Sequence, residues 1–349
     1  MTFSGSGSGL TPPAVVVKLL LSNTTHLNRP IHALPMCALL LTLSAIAGGC
    51  GAARTGVTRT TSVPPTARPV AQDATQDELL ERYNAFARGV KSVDSTVELK
   101  ATSGTKYSGV IQEYHEVKAF LLAARPWNIR VIGQAPVIGT TVFDMASDGQ
   151  TFEVSIPSKN KFIVGPVALE KQSSKPIENL RPQHLVDALL WPEIRKEETV
   201  LFEEYDDDAA RDYVLTVLRG GYKTEILRRI WFDRGDLRVS RLEEFGPKGI
   251  LLSDVRFSDW QPLSGATAGN GTPSAATAQT PDASGTPSEF PRTIRLDRPH
   301  DEYRLDLAVT KITLNGPTDA ARFKLEQPAG SELVRVGDED KTPSEDKKP

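Results

Sequence analysis

The sequence feature that most constrains the fold is an Asp-Gly pair, Asp148-Gly149, between two runs that alternate apolar and polar residues. An Asp-Gly pair in this setting is typical of a type I′ hairpin turn, in which both central residues adopt φ > 0. The apolar residues of the two runs are β-prone, namely Val142 and Phe143 before the pair and Phe152, Val154 and Ile156 after it. We therefore expect residues 127–165 to form consecutive antiparallel strands of one large sheet.

The sequence of the remaining folded part predicts further strands of this sheet and two helices. Thr75 followed by Glu78 predicts a capping box for a helix over 76–89, and a short apolar stripe predicts a second helix over 176–190. The remaining segments alternate with a period of two, which leaves no room for βαβ crossovers. Because so wide a sheet must curl to hide its apolar face, we expect a mainly β (α+β) fold. Its predicted form is a strongly curved antiparallel open β-barrel of about eleven strands, with helices covering the concave face.

Charge and cysteine content narrow the classes of function. The net charge is −3 and the sequence pI is near 6.0, so the chain lacks the excess of positive charge that is typical of proteins that bind nucleic acid. The two cysteines, Cys37 and Cys50, lie near the N-terminus, so the folded part has no thiol for a disulfide, a zinc site or a nucleophile. The sequence also has no phosphate-binding loop, dinucleotide fingerprint or nucleophile elbow. We expect no catalytic residues, no metal ligands and no cofactor, and hence no enzyme.

The N-terminus has the pattern of an export signal followed by a lipid anchor. Residues 33–47 form an apolar run of the length of a signal-peptide core, and the run ends in Ala47-Gly48-Gly49-Cys50. This end resembles the bacterial lipobox, in which the cysteine is lipidated and becomes the new N-terminus. We predict a signal peptide over 1–49 and lipidation at Cys50. A buried cysteine after an ordinary signal peptide is the alternative, and the atypical residues 1–28 leave an over-called start open.

Low-complexity segments divide the rest of the chain. Residues 50–74 hold the predicted lipidated cysteine and a Thr-, Arg-, Pro- and Ala-rich stretch that is typical of a flexible linker. We predict one folded domain over 75–337 and a disordered insertion over 264–289 within one of its hairpins. A disordered charged tail is expected over 338–349.

Three groups of polar residues could bind a ligand, and for each of them a structural role is favoured. The acidic run over 203–208 lacks the spacing of a calcium loop and precedes a predicted hairpin tip. The histidines of the folded part, His115, His184 and His300, stand on different elements without a neighbouring His or Cys. An arginine cluster could meet lipid phosphate, but an exposed strand face balanced by Glu243 and Glu244 is favoured. The members of this cluster are Arg228, Arg229, Arg234, Arg238 and Arg241.

The order of elements resembles the LolA/LolB superfamily of periplasmic lipoprotein carriers and receptors over about residues 76–325. The resemblance rests on the first helix with the strand over 90–99, a Pro-Trp-Asn-Ile-Arg-Val strand at 126–131, and the Ser-Asp-Gly-Gln-Thr-Phe hairpin at 147–152. A late Phe-Pro-Arg-Thr-Ile-Arg-Leu strand at 290–296, followed by the strand at 305–315, completes it. The resemblance implies an incomplete barrel whose apolar concavity, closed by helices, holds acyl chains. With a lipid at Cys50, the chain is more similar to the membrane-anchored receptor branch than to the soluble carrier.

The resemblance also implies two sites. In the receptor branch, the loop after the strand that matches 127–133 carries an exposed apolar residue that engages the membrane. Here that loop contains Pro136, Val137 and Ile138, and we expect Val137 and Ile138 to protrude; the alternative is that they tuck into the sheet. The candidate residues for lining the cavity are Trp127, Ile129, Val142, Phe152 and Trp231, although tryptophans that fill a core would give the same pattern. The insertion over 264–289 and the acidic run over 203–208 depart from the family pattern.

We therefore expect a lipid-anchored protein of the bacterial cell envelope, on the outer membrane and facing the periplasm. It would bind acyl chains of lipoproteins or other lipids in a hydrophobic cavity and serve lipoprotein localisation. Its expected partners are lipid or lipoprotein acyl chains, the membrane through Cys50, and a periplasmic carrier protein; no nucleic acid is expected. Two alternatives stay open: an envelope sensor or regulatory module that reads lipoproteins, and a structural lipoprotein whose barrel is packed solid.

Overall fold

A computed structural model gives the fold and describes residues 69–104, 111–168, 179–207, 210–221, 223–263 and 285–336. The predicted signal peptide, Cys50, most of the linker, most of the insertion and the charged tail lie outside the described residues. Neither described α-helix has the length and apolar character that crossing a membrane requires.

The described residues form one sheet of fifteen strands and two α-helices, α1 (Gln76–Gly89) and α2 (Gln183–Leu189). The strands are β1 (Ser92–Ser103), β2 (Gln112–Glu113), β3 (Val117–Ala124), β4 (Asn128–Gln134), β5 (Thr141–Ser147), β6 (Thr151–Ile156), β7 (Lys161–Pro166), β8 (Thr199–Asp206), β9 (Arg211–Arg219), β10 (Glu225–Asp233), β11 (Val239–Phe245), β12 (Leu251–Pro262), β13 (Glu289–Arg298), β14 (Tyr303–Leu314) and β15 (Glu332–Arg335). Their order in the sheet is β15-β7-β6-β5-β4-β3-β1-β14-β13-β12-β11-β10-β9-β8, and β2 pairs with β1. Among the described strands, β15 and β8 are the two edges, so the curved sheet is open.

Two features of the predicted barrel are wrong. The sheet has fifteen strands rather than eleven, and β15 pairs with β7 in parallel, whereas the other pairs among the described strands are antiparallel. β2 is two residues long and β15 is four, so neither carries enough alternation to be recognised in a sequence. The segment after β14 also crosses several strands of the sheet before β15 pairs with β7. The residue pattern within a short segment cannot indicate so distant a partner.

Alternation along the strands separates two faces of the sheet. In β4, Ile129 and Val131 are fully buried, whereas Arg130 and Ile132 keep accessible surface. Buried side chains of the strands and of both helices belong to one hydrophobic cluster, which we call the core cluster. The sheet face toward this cluster is the core face, and the opposite one is the outer face.

The two helices begin at positions that the sequence partly indicates. The Thr75 hydroxyl oxygen accepts the Glu78 backbone N–H, and the Glu78 carboxylate accepts the Thr75 backbone N–H at 2.8 Å, so the predicted capping box is confirmed. α2 is shorter than the predicted segment 176–190, because it begins only after Pro182; residues 176–178 of that segment lie outside the described part.

The central hairpin forms, but its turn is not of type I′. Gly149 has φ +91°, whereas Asp148 does not have a positive φ. The Asp148 carboxylate instead accepts the backbone N–H groups of Gln150 and Thr151, both at 2.9 Å. The prediction of the turn type was wrong because this side chain closes the turn by itself, an option that the dipeptide pattern does not specify.

The end of the predicted linker is docked on the domain. The backbone N–H of Gln72 donates to the Arg234 carbonyl at 2.7 Å, and its Nε2 donates to the Gly235 carbonyl at 2.8 Å. Asp73 also forms an ion pair with Arg234 at 3.3 Å. Of the predicted insertion, residues 285–288 are described, and β13 begins at Glu289. Composition alone did not reveal these contacts.

The C-terminal segment covers part of the outer face before it forms β15. Phe323 belongs to a small buried cluster with Leu122 and Ala124 of β3. The backbone carbonyl of Arg322 accepts a hydrogen bond from Arg130 Nη1 at 3.1 Å. These contacts cover parts of β3 and β4 on the outer face.

Candidate functional site

The strand directions define two rims of the sheet. β1 runs from Ser92 to Ser103, and we call its first end the upper rim and its last end the lower rim. The pairing registers place Phe290 at the upper rim, and Val117 and Gln134 at the lower rim. The interior differs between the two rims.

Aromatic rings fill the interior next to α1, toward the upper rim. Trp191 is only 2% exposed, and its ring centroid lies 4.1 Å from that of Phe86 and 5.1 Å from that of Phe257. Tyr83 stacks on Trp191 at 5.5 Å, and Phe290 stacks on Phe86 at 6.0 Å. Buried aromatic rings contribute strongly to core stability. The protein's own side chains therefore occupy this part of the interior.

The lower half of the core face keeps accessible apolar surface. The side chains there that pack against the core cluster and yet are only partly buried include Ala101 of β1, Val117 of β3, Phe143 of β5 and Val154 of β6. We call these four residues the apolar wall. Because these apolar side chains face the core and stay accessible, a ligand could contact them there.

A row of polar residues crosses the core face along the lower rim from β10 to β1. Arg228 pairs with Glu244, and Glu244 pairs with Ser253. The pairing of Asp254 with Asp297 in the next register position sets Ser253 beside Arg298. Arg298 pairs with Tyr303, which in turn pairs with Ser103. We call this set the polar row: Arg228, Glu244, Ser253, Arg298, Tyr303 and Ser103.

The two arginines of the polar row are held by acidic partners. Arg228 Nη2 lies 2.8 Å from Glu198 Oε2 and donates to the Glu193 carbonyl at 2.9 Å. Arg298 Nη2 lies 2.7 Å from Asp301 Oδ2. Because an unpaired buried charge costs several kcal/mol, these partners are needed to keep the arginines inside.

α2 contacts the polar row through His184. The Nδ1 atom of this ring is hydrogen-bonded to the Tyr303 hydroxyl. Burial, followed by the charges of Arg298 and Arg181, lowers the pKa of His184 well below its usual value. His184 is therefore a neutral hydrogen-bond partner at physiological pH, and we assign it no role as a base.

Two carboxyl groups beside the polar row are unpaired. Neither the Asp187 carboxyl of α2 nor the Glu244 carboxyl of β11 has a hydrogen bond or ion pair with another described residue. Burial, and then the charge of Glu244, raises the pKa of Asp187 well above its usual value. Burial also raises the pKa of Glu244, although Arg298 and Arg228 oppose the shift. Both residues nevertheless keep some accessible surface.

The loop between β4 and β5 carries two exposed apolar side chains on the lower rim. Val137 is 94% exposed and Ile138 is 76% exposed, and Pro136 before them is also exposed. The loop is closed by backbone hydrogen bonds from Ala135 to the Thr140 carbonyl (2.9 Å) and from Gly139 to the Ala135 carbonyl (3.0 Å). Gly139 has φ +65°, which favours glycine. Val137 and Ile138 therefore protrude from a well-defined turn and do not tuck into the sheet. We call residues 136–138 the apolar loop.

The structure does not bring the five predicted cavity residues together. Ile129 and Phe152 lie on the core face and are 0% and 2% exposed. Trp127 is 48% exposed in the turn before β4, and Val142 is 37% exposed at the bulge between β4 and β5. Trp231 lies on the outer face, where its Nε1 donates to Glu243 at 3.0 Å.

The arginine cluster is occupied by ion pairs within the protein. Four of its members pair with acids, namely Arg228 with Glu198, Arg234 with Glu204, Arg238 with Glu289 and Arg241 with Asp254. The fifth, Arg229, lies over the Phe245 ring with its guanidinium carbon 5.6 Å from the centroid. These pairings give the cluster a structural role.

The acidic run lies at the end of the edge strand β8. The backbone N–H of Asp207 donates to the Ala210 carbonyl at 2.9 Å, which is the hairpin turn that the sequence indicates. Among the described residues, no group of three or more His, Cys, Asp or Glu side chains is placed to hold a metal ion.

The polar row was missed in the sequence, although a signal for it exists. Arg228 stands in the same phase as the apolar Ile230 and Phe232 of β10, and Glu244 stands in the same phase as Leu242 of β11. A charged residue in the apolar phase of a strand should be read as an inward-facing charge. The sequence interpretation compared only the positive and negative residues on these strands. That comparison does not separate charges that face the core from charges that face outward.

Comparison with known proteins gives similar structures only. No family model matches the chain, and no curated protein does. A LolA superfamily protein from Nitrosomonas europaea matches with a TM-score of 0.40 and 12% identity, covering 72% of this chain and 99% of its own. A DUF1329 family protein from Desulfovibrio piger matches with a TM-score of 0.42 and 12% identity, and the match covers 70% of this chain and 94% of that protein. A domain from Vibrio parahaemolyticus named for outer membrane lipoprotein sorting matches with a TM-score of 0.40 and 11% identity. The match covers 70% of this chain and 95% of that domain.

The first of these structures is named for the LolA superfamily, and the third is named for lipoprotein sorting. At identities of 11–12% and TM-scores of 0.40–0.42, the ligand of this chain has to be inferred from its own residues.

Proposed function

We propose that this chain is a non-enzymatic lipid-binding protein of the cell envelope, which encloses acyl chains in the lower half of its interior. The observation that carries the proposal is the apolar wall, where Ala101, Val117, Phe143 and Val154 face the core and yet stay accessible. Burying one methylene contributes ~0.8 kcal/mol, so about ten methylenes contribute about 8 kcal/mol. An affinity of that order is near micromolar, and it requires no specific polar contact.

The apolar loop gives the hollow a route to the membrane. Val137 and Ile138 stand on the lower rim, at the same end of the sheet as the accessible apolar side chains. Inserting two exposed apolar side chains into a bilayer would hold this rim against the lipid surface. An acyl chain could then pass between bilayer and hollow with little exposure to water. The two helices, whose buried side chains join the core cluster, would cover the hollow between such events.

The N-terminal motif supports a lipid anchor at Cys50. A tethered domain on the outer membrane, facing the periplasm, could exchange a lipidated protein or another lipid with that membrane and with a periplasmic carrier. Lipoprotein localisation is the process that this arrangement serves best. The docked residues Gln72 and Asp73 would place the start of the tether at the turn between β10 and β11.

Native mass spectrometry of the full chain, purified from membranes in mild detergent, tests the proposal. We expect co-purified lipid or lipopeptide on the wild type and several-fold lower occupancy on Val117→Trp, because the larger ring would fill the hollow. Val142→Trp is the matched control, since it makes the same change at an exposed valine outside the core cluster. Lipid-free wild-type protein, or equal occupancy in all three proteins, would contradict the proposal.

A further inference from the structure

We propose that a second surface on the lower rim binds the phosphate groups of an anionic phospholipid bilayer. The surface is formed by the segment before β8 and by the turns that join β9 to β10 and β11 to β12. This contact rests on the proposed function, because it concerns the membrane from which acyl chains would enter the protein, and it adds a lipid preference that the apolar loop cannot supply. We call the surface the basic corner, and its members are Arg195, Lys196, Lys223, Lys248 and Ile250.

The strand pairings bring the three segments to one corner of the sheet. β8 begins beside the end of β9, where Thr199 pairs with Leu218, and β10 begins beside the same end of β9. The β11–β12 turn contains the short helical turn Pro247–Gly249, which packs against β10. The polar row, which follows the lower rim, crosses β10 and β11 close to these turns. The basic corner therefore lies on the lower rim, at the end of the sheet that β8 forms.

The basic side chains of this corner are exposed and unpaired. None of the four forms a hydrogen bond or an ion pair through its side chain with another described residue. Arg219 and Glu225, which flank the β9–β10 turn, neutralise each other at 2.8 Å. Glu198 before β8 is paired with Arg228. Glu197 is the remaining acid in the described part of the three segments, so four basic groups and one acid leave an excess of three positive charges.

The backbone of the β11–β12 turn presents Lys248 and Ile250 to solvent. The N–H of Gly246 donates to the Ile250 carbonyl at 2.8 Å, which closes the turn. Lys248 lies at the tip with φ +63°, a conformation that favours glycine and costs a lysine free energy. Ile250 is 44% exposed. A closed turn therefore holds an ammonium group and an apolar side chain on the same exposed tip.

This combination of groups fits the surface of a bilayer that contains anionic lipid. An exposed isoleucine can leave water for the acyl-chain region, and the lysine ammonium groups beside it can contact the phosphates. The apolar loop has a similar neighbour, since the exposed Lys159 lies in the turn that packs against β5. The chain as a whole has a net charge of −3, but exposed charges more than about 8 Å apart are largely screened at physiological ionic strength. The local positive excess therefore decides the attraction.

Co-flotation with two kinds of vesicle tests the basic corner, and the full chain carrying Cys50→Ala is the reference chain. One kind of vesicle is made of phosphatidylcholine, and the other contains phosphatidylcholine and phosphatidylglycerol in equal parts. A lysine near an anionic surface strengthens binding by about fivefold. We therefore expect the reference chain to prefer the mixed vesicles, and Lys223→Gln with Lys248→Gln to weaken binding to them by about 25-fold. Binding to phosphatidylcholine alone should not change.

The matched control is Lys91→Gln with Lys311→Gln, which makes the same change of charge at two exposed lysines. Lys91 precedes β1 at the upper rim, and Lys311 pairs with Thr96 in the upper half of that strand. Because screening confines the effect of each charge to its surroundings, this variant should bind the mixed vesicles within about twofold of the reference chain.

A third variant tests the apolar member of the corner. Ile250→Ser should weaken binding to both kinds of vesicle by about tenfold, since the gain from apolar burial does not depend on lipid charge. Val70→Ser is its control, because Val70 is 87% exposed at the docked end of the linker, on the upper rim. This control should bind both kinds of vesicle as the reference chain does.

Three results would overturn the basic corner. The first is equal binding of the reference chain to the two kinds of vesicle, and the second is an equal loss in the two double-lysine variants. The third is Ile250→Ser with unchanged binding. Native mass spectrometry separates this contact from the proposed function. Lipid that co-purifies with a chain lacking the preference for phosphatidylglycerol would remove the corner and keep the acyl-chain site, and a lipid-free chain with that preference would do the reverse.

Discussion

At the scale of single residues, the polar row is the most unusual part of the interior. Arg228 and Glu244 occupy positions that face the core, and their strand neighbours Ile230 and Leu242 in the same phase are fully buried. Placing charged side chains there costs free energy that apolar residues would not cost. Residues that break the packing rules in this way tend to mark functional or strained sites. The ion pairs of Arg228 with Glu198 and of Arg298 with Asp301 offset part of this cost.

Cys50 is the single residue on which the predicted lipid anchor depends. We expect metabolic labelling with palmitate to label the wild-type chain and to lose the signal in Cys50→Ala. Cys37→Ala should keep the label, because Pro35 and Met36 before Cys37 do not fit the lipobox. Equal labelling of the wild type and Cys50→Ala would place the lipid elsewhere or remove the anchor from the account.

At the scale of elements, the sequence predicted the features that depend on residues close together in the chain. The capping box of α1 and the alternation of β4 are formed by residues close together in the chain, so they could be recognised. β15 could not, since its four residues gain their partner only when the C-terminal segment reaches β7. The turn at Asp148 also escaped, because a side-chain hydrogen bond replaced the backbone geometry that the Asp-Gly pattern favours.

The sequence predicted the position of the apolar loop better than it predicted the residues of the cavity. The family resemblance pointed to the loop that holds Val137 and Ile138, and both side chains are exposed there. The residues proposed for the cavity were chosen by size, and size does not tell the two faces of a strand apart. Only Ile129 and Phe152 of that set lie on the core face.

The apolar loop is the element whose membrane contact can be tested directly. We expect the unlipidated full chain, carrying Cys50→Ala, to co-float with phospholipid vesicles. Val137→Asp with Ile138→Asp should weaken this binding by about 3 kcal/mol, or about a hundredfold, because two apolar side chains no longer leave water. The matched control is Leu201→Asp with Leu333→Asp, which places the same charges at two other exposed leucines, 49% and 40% accessible. Equal losses in the two double variants would contradict a specific role for the loop.

At the scale of the whole molecule, the docked end of the predicted linker and the apolar loop lie at opposite rims of the sheet. Gln72 docks at the turn between β10 and β11, on the upper rim, whereas Val137 and Ile138 stand on the lower rim. The chain between Cys50 and Pro69 can span at most about 65 Å when extended, and the longest strands are about 40 Å long. If Cys50 carries the predicted lipid, a linker of this length would allow the lower rim to contact the same membrane.

The central claim is that acyl chains occupy the lower half of the interior, and photo-crosslinking measures it most directly. A fatty acid with a diazirine at the end of its chain is bound to the full-length protein, irradiated, and mapped by peptide mass spectrometry. The account predicts crosslinks at the apolar wall, on peptides that contain Ala101, Val117, Phe143 or Val154. Crosslinks confined to residues 136–138 or to outer-face residues such as Phe120 would contradict it.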